Sequence, residues 1–93
     1  MTRAELRRRL AELVAYACGG EPSAEEVERA GSLTLAGVSS LDSLRVIDTV
    51  EQEFGVLLRI DQDPEFLDSV DGLLEHLVEL GIPVDPERGG VAR

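Results

Sequence analysis

Between Gly37 and Gly55 the chain sets apolar residues at Leu41, Leu44, Ile47, Val50 and Phe54, with Val46 beside them. That three-or-four spacing is one face of an amphipathic helix, whereas a half-buried strand would need strict alternation. Gly55 follows the last apolar position and can take the left-handed turn that closes helices. The pattern predicts a helix over about 41–54. Ser40 stands at its mouth, and Gly37, three residues earlier, can supply the turn that admits it.

The other segments read the same way. Thr2 and Glu5 form a capping box, in which hydroxyl and carboxylate each satisfy a free backbone donor. Leu6, Leu10, Leu13, Val14 and Ala17 then make a stripe over about 3–18, stopped by Gly19-Gly20. Ser23, with Glu26 three positions on, caps a second, short helical turn. Residues 31–39 read as a loop anchored in the core by Leu33 and Leu35. Val56–Ile60 is apolar but has no second strand to pair with, so it reads as an extended connector. Asp63-Pro64 opens one short turn, since proline suits a first helical position. Asp68 or Ser69 caps a last helix bearing Val70, Leu73, Leu74, Leu77, Val78 and Leu80, ended by Gly81 and Pro83. The expected architecture is all-α: three main helices plus one or two short ones, in a domain spanning 1–80, with 81–93 as a flexible tail.

Composition narrows the function classes. Ninety-three residues suffice for one domain. With only Tyr16, Phe54 and Phe66 as aromatics, the core must be aliphatic. Nineteen acids against nine arginines, without lysine, give a net charge of −10. That field repels phosphates and anionic headgroups, which argues against nucleic acid and membrane and for partners with basic surfaces. Cys18 is the only cysteine, so no internal disulfide can form. No apolar run is long enough to cross a bilayer, and no signal peptide is evident. A cytoplasmic monomer is the expectation.

The segment Gly37–Gly55 resembles the modification site of the acyl carrier and peptidyl carrier protein family. The likeness continues through Glu51–Val56 and Glu65–Val70, and covers about residues 3–80. It implies an acyl-carrier-like bundle and a covalent 4′-phosphopantetheine arm, taken from coenzyme A, on a serine at the start of the second main helix. Ser43 lies in a literal Asp-Ser-Leu triplet; Ser40 lies in Ser39-Ser40-Leu41, with serine where the family usually has aspartate. Only Ser40 keeps the family's spacing to Phe54-Gly55, so Ser40 is the attachment site the resemblance implies, with Ser43 the fallback. A hydroxyl at a helix N-terminus suits a phosphodiester, because free N–H groups and the helix dipole face it.

The resemblance further implies a carrier and not an enzyme. It would present thioester-bound acyl or aminoacyl intermediates in fatty acid, polyketide or nonribosomal peptide assembly. Partners would be a phosphopantetheinyl transferase, a loading enzyme, and ketosynthase, acyltransferase or condensation-type enzymes. Leu41 and Leu44 would form the apolar surface near the arm, and Asp42 and Glu51 would steer basic partners. Arg45 and Ser39 stand where the family has acids, and Asp48 where it has an apolar contact, which favours a dedicated secondary-metabolite pathway. Met1 and the short tail suggest a free-standing protein.

Plainer readings accompany each of these. Ser40 alone reads as an N-cap, and the acids of its helix as a solvated face. The rival function is a helical interaction module that kept the fold without the arm. Cys18 reads as a small buried apolar side chain, and His76 as a surface or half-buried structural residue with no metal-spaced partner. The acids of 61–63 lack the looped calcium pattern, and Arg7-Arg8-Arg9 reads as the solvated side of the first helix.

Overall fold

A computed structural model describes residues 1–60 and 64–85. The described residues form five α-helices and one 3-10 turn, without a strand: α1 (Arg3–Ala17), α2 (Ala24–Ala30), α3 (Leu33–Ala36), α4 (Ser40–Phe54), the 3-10 turn Pro64–Asp68, and α5 (Val70–Glu79). The protein is an all-α bundle, as its periodicities predict. Asp63 as a cap, the acids of 61–63, and residues 86–93 of the expected tail lie outside the described residues.

Local chemistry sets the helix starts. Thr2 and Ser23 both close full capping boxes, with Glu5 and Glu26 returning a carboxylate to the cap N–H. Ser69 caps α5 by accepting the Gly72 N–H at 2.8 Å. Gly55 ends α4 at φ 68°, a left-handed turn that glycine reaches without the Cβ penalty.

The core is aliphatic. Leu6, Leu10 and Val14 of α1 are fully buried, and they meet Val46 and Val50 of α4 and Leu73 and Leu77 of α5 in one cluster. Each such side chain contributes roughly 1.5–3 kcal/mol relative to exposure. α1 packs against α2, α4 and α5, and α5 against the 3-10 turn.

Several expectations need correction. The loop expected over 31–39 contains α3, capped by Ser32. Leu33 is buried as expected, but Leu35 is 81% exposed, and Val38 takes the second anchoring position. In a helix, residues two apart point to nearly opposite sides, so Leu33 and Leu35 cannot share one core. Asp68 accepts both the Ser32 and Thr34 hydroxyls, tying α3 to the 3-10 turn. The segment expected as a tail from 81 onward is docked as far as it is described. Ile82 and Val84 pack on the core, and the Asp85 N–H donates to the Met1 carbonyl at 2.7 Å.

Arg7, Arg8 and Arg9 are not simply solvated. Arg7 bonds Asp71 of α5 at 2.8 Å and the Glu28 carboxylate of α2 at 3.2 Å, and it also donates to the Glu28 carbonyl. Arg8 reaches Glu28 at 2.7 Å and Arg9 reaches Glu53 of α4 at 2.8 Å. These carboxylates strengthen the hold of the three guanidiniums on their protons, chiefly through side-chain hydrogen bonds. His76, expected at or near the surface, is 8% exposed. Its ring stacks on Phe66 with centroids 3.8 Å apart, and Nε2 accepts the Arg59 N–H at 3.0 Å. That bond uses the Nε2 lone pair as its acceptor.

Gly72 shows how tightly the 3-10 turn lies on α5: a Cβ there would stand 2.6 Å from the Phe66 carbonyl oxygen. Replacing a helix-interior glycine by alanine ordinarily stabilises by about 1 kcal/mol. Here the clash is with backbone, and Gly72→Ala is expected to destabilise by roughly 1–3 kcal/mol instead. A urea melt of the variant checks the sign.

Candidate functional site

The first turn of α4 is organised by the residue before it. Ser39, extended at ψ 172°, turns its hydroxyl to accept the Asp42 N–H at 3.1 Å, while its carbonyl accepts the Ser43 N–H at 2.9 Å. Ser39 is therefore the N-cap and Ser40 the first helical residue, which corrects the reading of Ser40 as the cap. Among the described residues Ser40 Oγ makes no hydrogen bond, and the residue is exposed. The N–H groups of Ser40 and Leu41 precede the first intrahelical bond and so belong to the unpaired donors of a helix start. An exposed hydroxyl beside such donors suits a phosphodiester, whose anion would meet N–H groups and the positive end of the helix dipole.

Ser43 sits differently. Three residues past Ser40, it falls on the side of α4 that carries Val46, Ile47 and Val50, and it is half-buried. Of the two candidate serines, Ser40 is the accessible one.

The side chains expected to meet partners divide into two groups. Leu41 and Leu44 are 60% and 63% exposed. With Arg45, Asp48 and Gln52 they fall within a sector of roughly 100° of helix circumference, pointing away from the core. Asp42 is half-buried instead, its carboxylate 3.8 Å from the Arg45 guanidinium. Glu51 is also half-buried, and its Oε2 accepts the Leu58 N–H at 2.8 Å. The Glu51 carboxylate thus fastens the connector after α4, where Leu58 inserts into the core and Leu57 stays exposed. Glu53 is committed to Arg9 of α1. Asp48, which the sequence reading left out of the partner-facing residues, is exposed and lies beside Leu41 and Leu44 in the helical period.

Cys18, the C-cap of α1, lies close enough to α4 to feel its charges. Burial pushes the thiol pKa up, Asp42 adds to the rise, and Arg45 opposes it. A thiol held protonated is a poor nucleophile. No group of three or more metal-ligating side chains occurs among the described residues. No described helix is long and apolar enough to cross a membrane.

No protein-family model, curated protein or solved structure matches this chain.

Two outcomes follow from this geometry. Ser39→Ala removes the cap and should cost about 1 kcal/mol, whereas Ser39→Asp should hold stability near the original; paired thermal melts separate them. Cys18 should alkylate with iodoacetamide at pH 7 more slowly than free cysteine. Its rate should rise with pH and level off at a higher pH than that of free cysteine, because the folded chain favours the protonated form.

Proposed function

We propose that this protein is an acyl or aminoacyl carrier, modified on Ser40 with 4′-phosphopantetheine, and that it acts as a carrier and not as an enzyme. The observation that carries the reading is the exposed Ser40 hydroxyl at the first helical position of α4, released from capping by Ser39 and flanked by exposed Leu41 and Leu44. The helix from Ser40 to Phe54, closed by Gly55, has the length and ending that the family resemblance requires.

The fit of the arm rests on residues present. Ser40 Oγ would supply the oxygen of the phosphodiester, and the Ser40 and Leu41 N–H groups would face its charge. Ser43 is the poorer attachment point because its side chain is half-buried on the core side. The arm's terminal thiol supplies the thioester linkage that holds an acyl or aminoacyl group. Leu41 and Leu44 would give the partner an apolar contact close to that linkage, and Arg45 and Asp48 would select which partner charges are tolerated. Asp42 and Glu51 shape the helix that partners approach more than they contact partners, since both carboxylates have intramolecular work.

The proposed setting is cytoplasmic fatty acid, polyketide or nonribosomal peptide assembly, with a dedicated secondary-metabolite pathway favoured by Arg45 and Asp48. Partners are a phosphopantetheinyl transferase, the loading enzyme, and ketosynthase, acyltransferase or condensation-type enzymes. The net charge of −10 suits basic docking surfaces and a monomeric state.

Intact mass after incubation with coenzyme A, magnesium and a broad-specificity transferase tests the reading. The expected result is one phosphopantetheine added to the wild type and to Ser43→Ala, and none to Ser40→Ala. A gain lost only in Ser43→Ala would move the site by one helical turn. No gain in any sample would leave the rival, a helical interaction module of the same fold without an arm.

A further inference from the structure

One of the chain's three aromatic residues, Tyr16, is 77% exposed near the end of α1. It lies off the stripe that α1 buries, on the side facing α4. A shallow depression between the two helices is lined by Tyr16, Ala17, Leu44, Arg45, Asp48 and Thr49. A second continues along the same groove past Thr49 to Glu12 and Glu53, again with Tyr16 on its wall. Tyr16 and Leu44, both largely exposed, thus share one depression, with Arg45 and Asp48 on its wall and Glu12 and Glu53 farther along the groove.

The charges restrict what can sit there. Around the groove Glu53 is paired with Arg9 and Glu12 with Arg8 and Arg9, and Arg45 stands 3.8 Å from Asp42, so among the described residues Asp48 is the acid of the groove without an ion pair. A second copy of the chain, also at −10, would be repelled. The surface fits a basic protein face that projects one apolar side chain. Position narrows the partner further. Leu44 is four residues past Ser40, about 6 Å along the helix, so a protein that reaches Ser40 Oγ also covers this depression.

We infer that the α1–α4 depression is a seat for the transferase that places the arm on Ser40, with an apolar side chain of that enzyme held between Tyr16 and Leu44 and a basic group opposite Asp48. The inference rests on the carrier reading and adds α1 to the surface that the transferase grips.

Initial rates of phosphopantetheine transfer by a broad-specificity transferase, measured across carrier concentrations, test it. Tyr16→Ala is expected to raise the KM for the carrier about tenfold with kcat nearly unchanged, since a contact made equally in ground and transition states is lost. Asp48→Asn should raise KM a few-fold and flatten its dependence on salt. Leu57→Ala, equally exposed but on the connector beyond α4, should leave both constants unchanged. Circular dichroism and melting temperature confirm that each variant is folded. A modified wild type with unchanged KM in Tyr16→Ala overturns the seat and leaves the carrier reading standing. A wild type that takes no arm removes the carrier reading, and the seat with it.

Discussion

Everything in this bundle leans on the buried face of α1. Leu6, Leu10 and Val14 have no exposed surface, and α1 touches α2, α4 and α5. The hydrophobic term is non-directional, so burial alone would let those helices slide over one another. The arginines of α1 supply the missing direction. Arg7 binds α2 and α5, Arg8 binds α2, and Arg9 binds α4, while Arg3 pairs with Glu75 of α5. Exposed pairs of this kind contribute little to stability on their own. Their larger effect is to set the register in which an aliphatic core, poor in shape-specific aromatics, comes together.

How much of this was legible in sequence depends on the range of the interaction. Capping boxes at Thr2 and Ser23 and the stop at Gly55 involve residues within three or four positions, and each could be read directly. The stripes of α1 and α5 follow from period alone; in α4 the buried side is Val46, Ile47 and Val50, while Leu41 and Leu44 of the expected stripe are exposed. The errors arose where a distant partner decides. α3 exists because Leu33 is buried and Asp68 holds Ser32 and Thr34, a contact across more than thirty residues. Reading that stretch as extended made Leu33 and Leu35 look alike, and one turn of helix separates them. His76 is buried because Phe66 and the Arg59 N–H come to it from other segments, and nothing local in the α5 sequence announces either.

The candidate site shows the same division at a scale of one residue. Two adjacent serines offer equivalent caps by type, and the choice between them is made by backbone conformation. Extended geometry at Ser39 commits its hydroxyl to Asp42, and Ser40 is left outward-facing. Charge on α4 was harder to read, because composition does not say which carboxylates are already engaged. Glu51 looked like a surface acid and instead bonds the connector, Glu53 is held by Arg9, and Asp42 is shared with Arg45.

A consequence concerns the field the protein presents. The four arginines of α1 lie against acids of the same molecule, so four of the nine arginines are spent across internal seams. Charges paired at a few ångströms largely cancel beyond a Debye length of about 8–10 Å. What an approaching protein feels at that range is the uncompensated acid. Only on closer approach does it meet Arg45, standing among Leu41, Leu44 and Asp48. Long-range attraction thus favours basic partners in general, and the short-range mixture on α4 discriminates among them. Separating the two by distance lets one small helix be approached quickly by many proteins and held by few.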